Sequence, residues 1–224
     1  MLHFWNTSFR LSGLLLLALV LFLSGSSSWA QTASDIRRLE PPQTQCGTDL
    51  MVALKNRHSD KAYIEKDLTP GQLSTILWGA NGENRGNGKR TAPAPHAMPY
   101  LQLYVTGTDG TWLYEPKGHQ LRLITPKNLK SRLPRQPAYA SASHILLLVA
   151  DLSQFPKPEI STESKILMAH CNAGHIAQNV YLTTGALGLG TCMVASMDSD
   201  TARQEIPLRD DQIPLYLMPL GFPK

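Results

Sequence analysis

The sequence predicts an α+β domain: a mixed, largely antiparallel sheet with helices packed on it. Three observations carry this. Strand-like runs at Leu101–Thr106, Trp112–Tyr114 and Gln120–Ile124 follow one another closely, with an Asp109-Gly110 turn between the first two, which is the pattern of an antiparallel meander. His144–Ala150 is a continuous apolar run of the kind found in a buried central strand. Two stretches, after Thr69-Pro70 and after Ser161-Thr162, repeat their apolar residues with the helical period.

Taken in order, the chain opens with a leader. Arg10 is the only charged side chain among residues 1–30, an apolar run from Leu11 to Leu23 follows it, and Ser28-Trp29-Ala30 offers small residues at the first and third positions before Gln31. This is the layout of a secretory signal peptide, cleaved after Ala30. The run is short for a membrane span; an uncleaved N-terminal anchor is the other reading. Residues 31–47, with Pro41-Pro42, read as a polar tether, and residues 48–224 as one domain.

Within that domain, Thr48-Asp49 can cap a helix that buries Leu50, Met51 and Leu54. Thr69-Pro70 combines an N-cap with Pro at the first helical position, Leu73, Ile76, Leu77 and Ala80 form one face, and Gly82 ends the helix. Residues 82–99 are rich in Gly, Asn and Pro and read as a long loop, a feature often tied to function. The long helix from Ser161 or Thr162 reaches about Leu187, with Ile166, His170, Ala173, Ala177, Val180, Thr184 and Leu187 on one face. Its small Ala173-Gly174…Ala177 surface fits close helix packing, within the chain or across a subunit boundary. A short strand is expected at Cys192–Ala195 and a last one at Ile213–Leu220, with Pro214 at an edge.

Composition narrows the function. Lys+Arg number 21 and Asp+Glu 17; without Arg10 the balance is 20 to 17, or +3. With few aromatics and no long basic run, this is not a nucleic-acid signature. The three cysteines, Cys46, Cys171 and Cys192, cannot all pair, and the sequence does not choose a pair among them. Gly88-Lys89 is not a phosphate loop: Glu83 stands where a glycine is needed, and Arg90 replaces the required Ser/Thr. His170, Cys171 and His175 do not share one helix face, so no metal site is assigned. Arg57-His58-Ser59-Asp60-Lys61 places two cations and a hydroxyl beside a helix end. That suits a phosphate monoester, for which Arg supplies a planar fork of donors, and it equally suits a solvated helix terminus.

These pieces resemble one family. Arg57-His58-Ser59-Asp60-Lys61-Ala62-Tyr63 is similar to the opening R-x-S-x-[RK]-x-[FY] motif of nitroreductases, and Leu68 to Gly82 to the helix that follows it. Lys89-Arg90-Thr91-Ala92-Pro93-Ala94-Pro95-His96 resembles the family's R-x-A-P-S-A loop. Gly174–Leu182 and Ala186–Thr191 resemble its central helix and exit, and Gly221-Phe222-Pro223-Lys224 its closing G-[YF]-P-K strand. The helix at Leu77-Trp78 and the loop at Arg90–Pro93 also resemble the azoline-dehydrogenase branch. The resemblance spans residues 48–224.

It implies a nitroreductase-like fold whose long central helix lies at a homodimer interface, with FMN bound there. Arg57, His58, Ser59 and Lys61 would face the phosphate, ribityl and pyrimidine side of FMN. Pro93, Ala94 and His96 would line it from the other subunit, the backbone at Ala195 and Ser196 would approach its N5, and Lys224 would reach the phosphate. No side chain is assigned as a catalytic acid or base. The implied activity is electron transfer from a reduced donor, NAD(P)H or another, to an electron-poor small molecule such as a nitroaromatic or quinone. Ala94 and Ala97 stand where relatives carry hydrogen-bonding Ser and Asn, so a flavin- or planar-ligand-binding protein without turnover is the alternative. Export would place the mature protein in the periplasm or outside the cell, with no membrane span left after cleavage.

Overall fold

The computed structural model describes residue 1 and residues 35–45, 48–155 and 157–224; the side chain of Ala97 is outside that description. Residues 2–30 of the expected leader, its cleavage site and Cys46 also lie outside the described residues. From Ile36 onward the chain runs through β1 (Ile36–Arg38), α1 (Leu50–Asn56), β2 (Tyr63–Ile64), α2 (Pro70–Asn81), β3 (Leu101–Gly107), β4 (Gly110–Glu115), β5 (Gln120–Thr125), β6 (His144–Asp151), α3 (Thr162–Ala186), β7 (Gly190–Thr191), α4 (Ser199–Glu205) and β8 (Gln212–Pro223). The strands form one sheet in the order β1-β5-β4-β3-β6-β8-β2, with β7 also on β8. The expected mostly antiparallel sheet is antiparallel at every described pairing.

Strand β6 shows why the apolar run at 144–150 needed two faces. Side chains alternate across a sheet. Leu146, Leu148 and Ala150 face the layer of α2 and α3, packing with Ile76, Leu77 and Ile176. Ile145, Leu147 and Val149 face the opposite layer, with Leu129, Leu133 and Ile206. Every position from Ile145 to Asp151 is buried because both faces are covered, and His144 at the strand end is half-buried.

Helix α2 starts as its sequence dictates. Thr69 Oγ1 accepts the Gln72 N–H at 3.2 Å, Gln72 Oε1 accepts the Thr69 N–H at 2.9 Å, and Pro70 opens the first turn. It stops where Trp78 folds over its end: a Cβ on Gly82 would come within 2.5 Å of the indole. Helix α3 spans the expected length, capped by Ser161. Ala173 and Ala177 are buried in the chain's own core, whereas His170 is exposed and hydrogen bonded to Tyr216 at 3.0 Å. Gly174 faces open space.

Four expectations change. The stretch read as tether contains β1, an edge strand paired with β5 through Ile36–Arg38; three residues are too few to show a period. Helix α1 forms, with Asp49 accepting the Met51 N–H at 2.8 Å, but Leu50, Met51 and Leu54 are 60%, 68% and 42% exposed because no described element of the chain covers them. The short strand lies at Gly190–Thr191, ahead of the expected Cys192–Ala195, of which only Val194 bridges to Leu217. Helix α4, absent from the sequence reading, is one short run capped by Asp198. Pro214 lies at a register shift between β6 and β8, on a stretch of β8 whose only described partner is β6.

A buried charge ties the end of β6 to β3 and to the connection that leads into β8. Asp151, 1% exposed, accepts from Arg209 Nη2 at 2.6 Å, Ser153 Oγ at 2.6 Å and Gln102 Nε2 at 3.2 Å. Removing one partner leaves a buried carboxylate short of donors. Arg209→Met is expected to lower stability by roughly 1.5–3 kcal/mol in urea unfolding. A loss within error would show that Ser153 and Gln102 satisfy the carboxylate alone.

Candidate functional site

Residues 57–64 are stitched to the sheet where β7 and β8 end. Tyr63 pairs with Pro223, and the Lys224 N–H donates to the Ala62 carbonyl at 3.1 Å. The Asp60 N–H donates to the Thr191 carbonyl at 2.9 Å, and the Tyr63 hydroxyl to the Asp60 carbonyl at 2.7 Å. Gly190 permits this approach, since a Cβ there would come within 2.5 Å of the Asp60 carboxylate. The result puts Lys224 opposite Ala62, one residue from Lys61.

Tyr181 of α3 ties this corner to the following loop. Its hydroxyl accepts the Met193 N–H at 2.8 Å and lies 2.9 Å from Ser59 Oγ. The Arg57 guanidinium carbon sits 5.3 Å from the centre of the same ring, within cation–π range. Past Met193, Val194 exchanges two 2.9 Å backbone bonds with Leu217, and the chain then leaves the sheet through the exposed Ala195 and Ser196. The N–H groups of those two residues donate to no other described residue. The Ser196 hydroxyl accepts from Gln136 Nε2.

The electrostatics are one-sided. Arg57, Lys61 and Lys224 form no ion pair among the described residues. His58 places Nδ1 2.7 Å from the Asn56 carbonyl and Nε2 3.1 Å from Asp60. The carbonyl first, and the carboxylate second, raise its pKa above the ordinary histidine value. The Asp60 carboxylate is therefore engaged with His58, while Arg57, Lys61 and Lys224 are in no ion pair among the described residues.

The loop residues fall elsewhere. The Pro93 carbonyl accepts from Asn172 Nδ2 at 2.7 Å, and Asn172 is buried. Asn172 and Tyr181 are nine residues apart on α3, about 13 Å along the axis. Among the described residues, no hydrogen bond or ion pair joins Pro93, Ala94 or His96 to the Arg57 cluster. His96 is exposed with a left-handed backbone, φ 57°, unusual for a side chain with a Cβ. The expected site residues thus fall into three sets: Arg57, His58, Ser59, Lys61 and Lys224 at one corner; Ala195 and Ser196 just past Met193 and Val194, with Ser196 bound to Gln136; and Pro93, Ala94 and His96 on a loop further along α3. Sequence reasoning left out Tyr181 and Asp60. Both lay inside quoted motifs, but the bonds that give them their places cross 12 residues of chain to Met193 and 131 to Thr191.

A model described as the nitroreductase family matches residues 54–222, from within α1 to two residues before Lys224. A Methanocaldococcus jannaschii protein assigned as a nitroreductase is 30% identical over 178 residues, which is 75% of this chain and 88% of its own. The chain belongs to the nitroreductase family. Among solved structures, a Ralstonia eutropha protein also assigned as a nitroreductase superposes with a TM-score of 0.77 at 27% identity, covering 86% of this chain and 91% of its own. A Staphylococcus epidermidis protein assigned as an NAD(P)H:FMN oxidoreductase shares the fold, with a TM-score of 0.60, 16% identity and coverage of 79% and 87%.

Proposed function

We propose that this nitroreductase-family chain is an FMN-dependent oxidoreductase. It takes electrons from a reduced donor, NAD(P)H or another, and gives them to an electron-poor organic acceptor such as a nitroaromatic or a quinone. The observation that carries the reading is the set of cations at Arg57, Lys61 and Lys224 that form no ion pair among the described residues, together with the N–H groups of Ala195 and Ser196, which donate to no other described residue. The residues fit the cofactor. A phosphate monoester carries about −1.5 to −2 charge near neutral pH. Arg57 offers it a fork, and Lys224 a point charge from the adjoining strand end.

FMN, when bound, supplies the two-electron chemistry. The chain's own residues bind and tune. Ser59, oriented by Tyr181, offers a hydroxyl to the ribityl or pyrimidine side. Lys61 and a protonated His58 favour the more electron-rich state of whatever they face. The N–H groups at Ala195 and Ser196 stabilise negative charge developing at an acceptor atom held against them. No side chain in the corner is needed as proton donor, because solvent reaches it.

The reading extends to a homodimer. Leu50, Met51, Val52 and Leu54 on α1 and Leu167 on α3 are exposed, and burying each such side chain is worth about 1.5–3 kcal/mol. A second copy would bring its Pro93–His96 loop to this chain's Arg57 corner. Export through the N-terminal leader completes the proposal, with the mature chain starting at Gln31. Ala94 and Ala97, which lack the side-chain hydrogen bonds of relatives, favour a second reading: flavin binding without turnover.

Purification of the mature protein from the exported fraction tests both. Yellow protein that bleaches with NAD(P)H, or with an artificial reductant, and recolours with a nitroaromatic or quinone supports the oxidoreductase. Yellow protein that no acceptor recolours supports the binding protein. Colourless protein that takes up no added FMN rules out both.

A further inference from the structure

Past Val194 the chain has left the sheet, and a segment at residues 133–139 holds it instead. The Asp198 N–H donates to the Leu133 carbonyl at 2.8 Å, Pro134 bridges to Met197, and Arg135 Nε donates to the Met197 carbonyl at 3.2 Å. Gln136 Nε2 donates to the Ser196 hydroxyl, and the Tyr139 hydroxyl lies 4.0 Å from Cys192 Sγ. The two segments run antiparallel, contact by contact. Leu133 and Tyr139, both buried, anchor the holding segment in the core.

Gln136 is used at one end only. Its Nε2 is bonded to Ser196 Oγ, while its Oε1 is buried without a hydrogen-bond partner among the described residues. A buried polar atom left unpaired is uncommon in a folded chain. The two ends of the amide have opposite consequences for the serine. Against Oε1 the hydroxyl has to donate, and its proton is spent inside the protein. Against Nε2 it accepts, and its proton stays available for something else. The structure holds the second arrangement.

The place of that donor gives it a use. The N–H groups of Ala195 and Ser196 donate to no other described residue, and both residues are exposed. Adding the Ser196 hydroxyl makes three unspent donors within two residues. Met193, two residues before Ala195, is bonded to the Tyr181 hydroxyl, which also meets Ser59. The donors are thereby linked to the Arg57 corner. Such a set suits the edge of a planar ring that carries nitrogen and carbonyl acceptors.

We propose that Gln136 is a positioning residue for the flavin site: by donating to Ser196 Oγ it turns the serine hydroxyl outward as a donor to the bound ring, beside the Ala195 and Ser196 N–H groups. This rests on the flavin reading above and adds a side-chain contact to it. Titration of the mature protein, stripped of flavin, with FMN and with riboflavin tests it, read by flavin absorbance. Ser196→Ala and Gln136→Glu should each weaken binding about three- to tenfold, the loss of one hydrogen bond. The factor should be the same for FMN and riboflavin, since neither residue meets the phosphate. Gln136→Glu keeps the shape of the side chain and, ionised, can only accept, so it draws the hydroxyl proton inward. On top of Ser196→Ala it should cost nothing further, because Gln136 acts through that hydroxyl; a direct effect of the new charge on the ring would persist there. Ser196→Thr keeps the hydroxyl and should bind like the unmutated protein. The absorption band of the bound flavin should shift in Ser196→Ala and Gln136→Glu alike. The inference is overturned if Gln136→Glu binds undiminished, if its loss persists on top of Ser196→Ala, if riboflavin is spared, if Ser196→Thr loses as much as Ser196→Ala, or if the band does not move. Each of these leaves FMN uptake by the unmutated protein, and so the flavin reading, standing. No uptake by the unmutated protein overturns both.

Discussion

Replacing Arg57 with Ala should weaken FMN binding by roughly 10- to 150-fold, the equivalent of a charge-assisted bond worth about 1.5–3 kcal/mol. The guanidinium lies over the Tyr181 ring, and it forms no ion pair among the described residues. It is therefore available to a ligand without first breaking an ion pair. Its neighbours hold their places without it: Ser59 through Tyr181, Asp60 through Thr191 and Lys224 through Ala62. The loss should accordingly be local, leaving the melting temperature nearly unchanged. Titration with riboflavin alongside FMN separates two roles. If Arg57 grips the phosphate, FMN binding falls while riboflavin binding, already weak, does not. If it faces the pyrimidine edge, both fall together. Arg57→Lys should lie between, because it keeps the charge and loses the fork. An unchanged FMN affinity in Arg57→Ala would remove this residue from the site and, with it, the main support for the flavin reading at this corner.

What the sequence could convey about this site depends on range. Helix α2 was legible to the residue at its start because its signals, Thr69, Pro70 and Gln72, act within one turn. The strands β3 to β6 were legible because their alternation or continuous apolar character reports burial directly. Helix α1 was legible as a helix and not as a buried one. The pattern Leu50, Met51, Leu54 says that some surface covers that face, and nothing in it says whether the surface belongs to the same chain. Strand β1 was missed for the opposite reason: Ile36-Arg37-Arg38 has no apolar signature, and it is a strand because the edge of β5 offers it backbone partners. At the site, the residue types at 57–61 announced an anion, but the hub, Tyr181, owes its role to one hydroxyl reaching a backbone N–H across the α3–β7 connection. Asn172 shows the same limit. Its amide holds the Pro93 carbonyl, a task that needs a donor and that an unprotonated acid at that position could not perform.

Acid should destabilise the fold through His144 more steeply than the surface carboxylates alone would. This histidine opens β6, and its ring packs on Gly107, where a Cβ would come within 2.7 Å of it. Burial pushes its pKa down to about 4; Asp109 and Asp67 pull it up, and Lys130 and Arg37 push it down. The hydrogen bonding agrees with a neutral ring. Ser143 Oγ accepts the Leu68 N–H at 2.8 Å, so its own proton is free to reach His144 Nδ1 at 2.9 Å. A proton on Nδ1 would require the Ser143 hydroxyl to turn its own proton away and accept a second bond. Since the folded pKa lies below the unfolded value of about 6.5, the unfolded chain binds more protons between these limits. The contribution to stability is complete above about pH 6.5, shrinks as pH falls, and is gone below about pH 4, a loss of roughly 3 kcal/mol in all. About two-thirds of it should appear by pH 5, before most carboxylates titrate. His144→Gln can still accept from Ser143 and cannot take a proton, so its urea-unfolding free energy should depend less on pH from 7 to 5. His119, whose pKa burial also lowers, is present in both proteins and cancels in the difference. Parallel curves for the two proteins would mean that the folded state admits water to the ring and accommodates its charge. In that case the strand end at His144, rather than the buried middle of β6, would be where the sheet first loosens in acid.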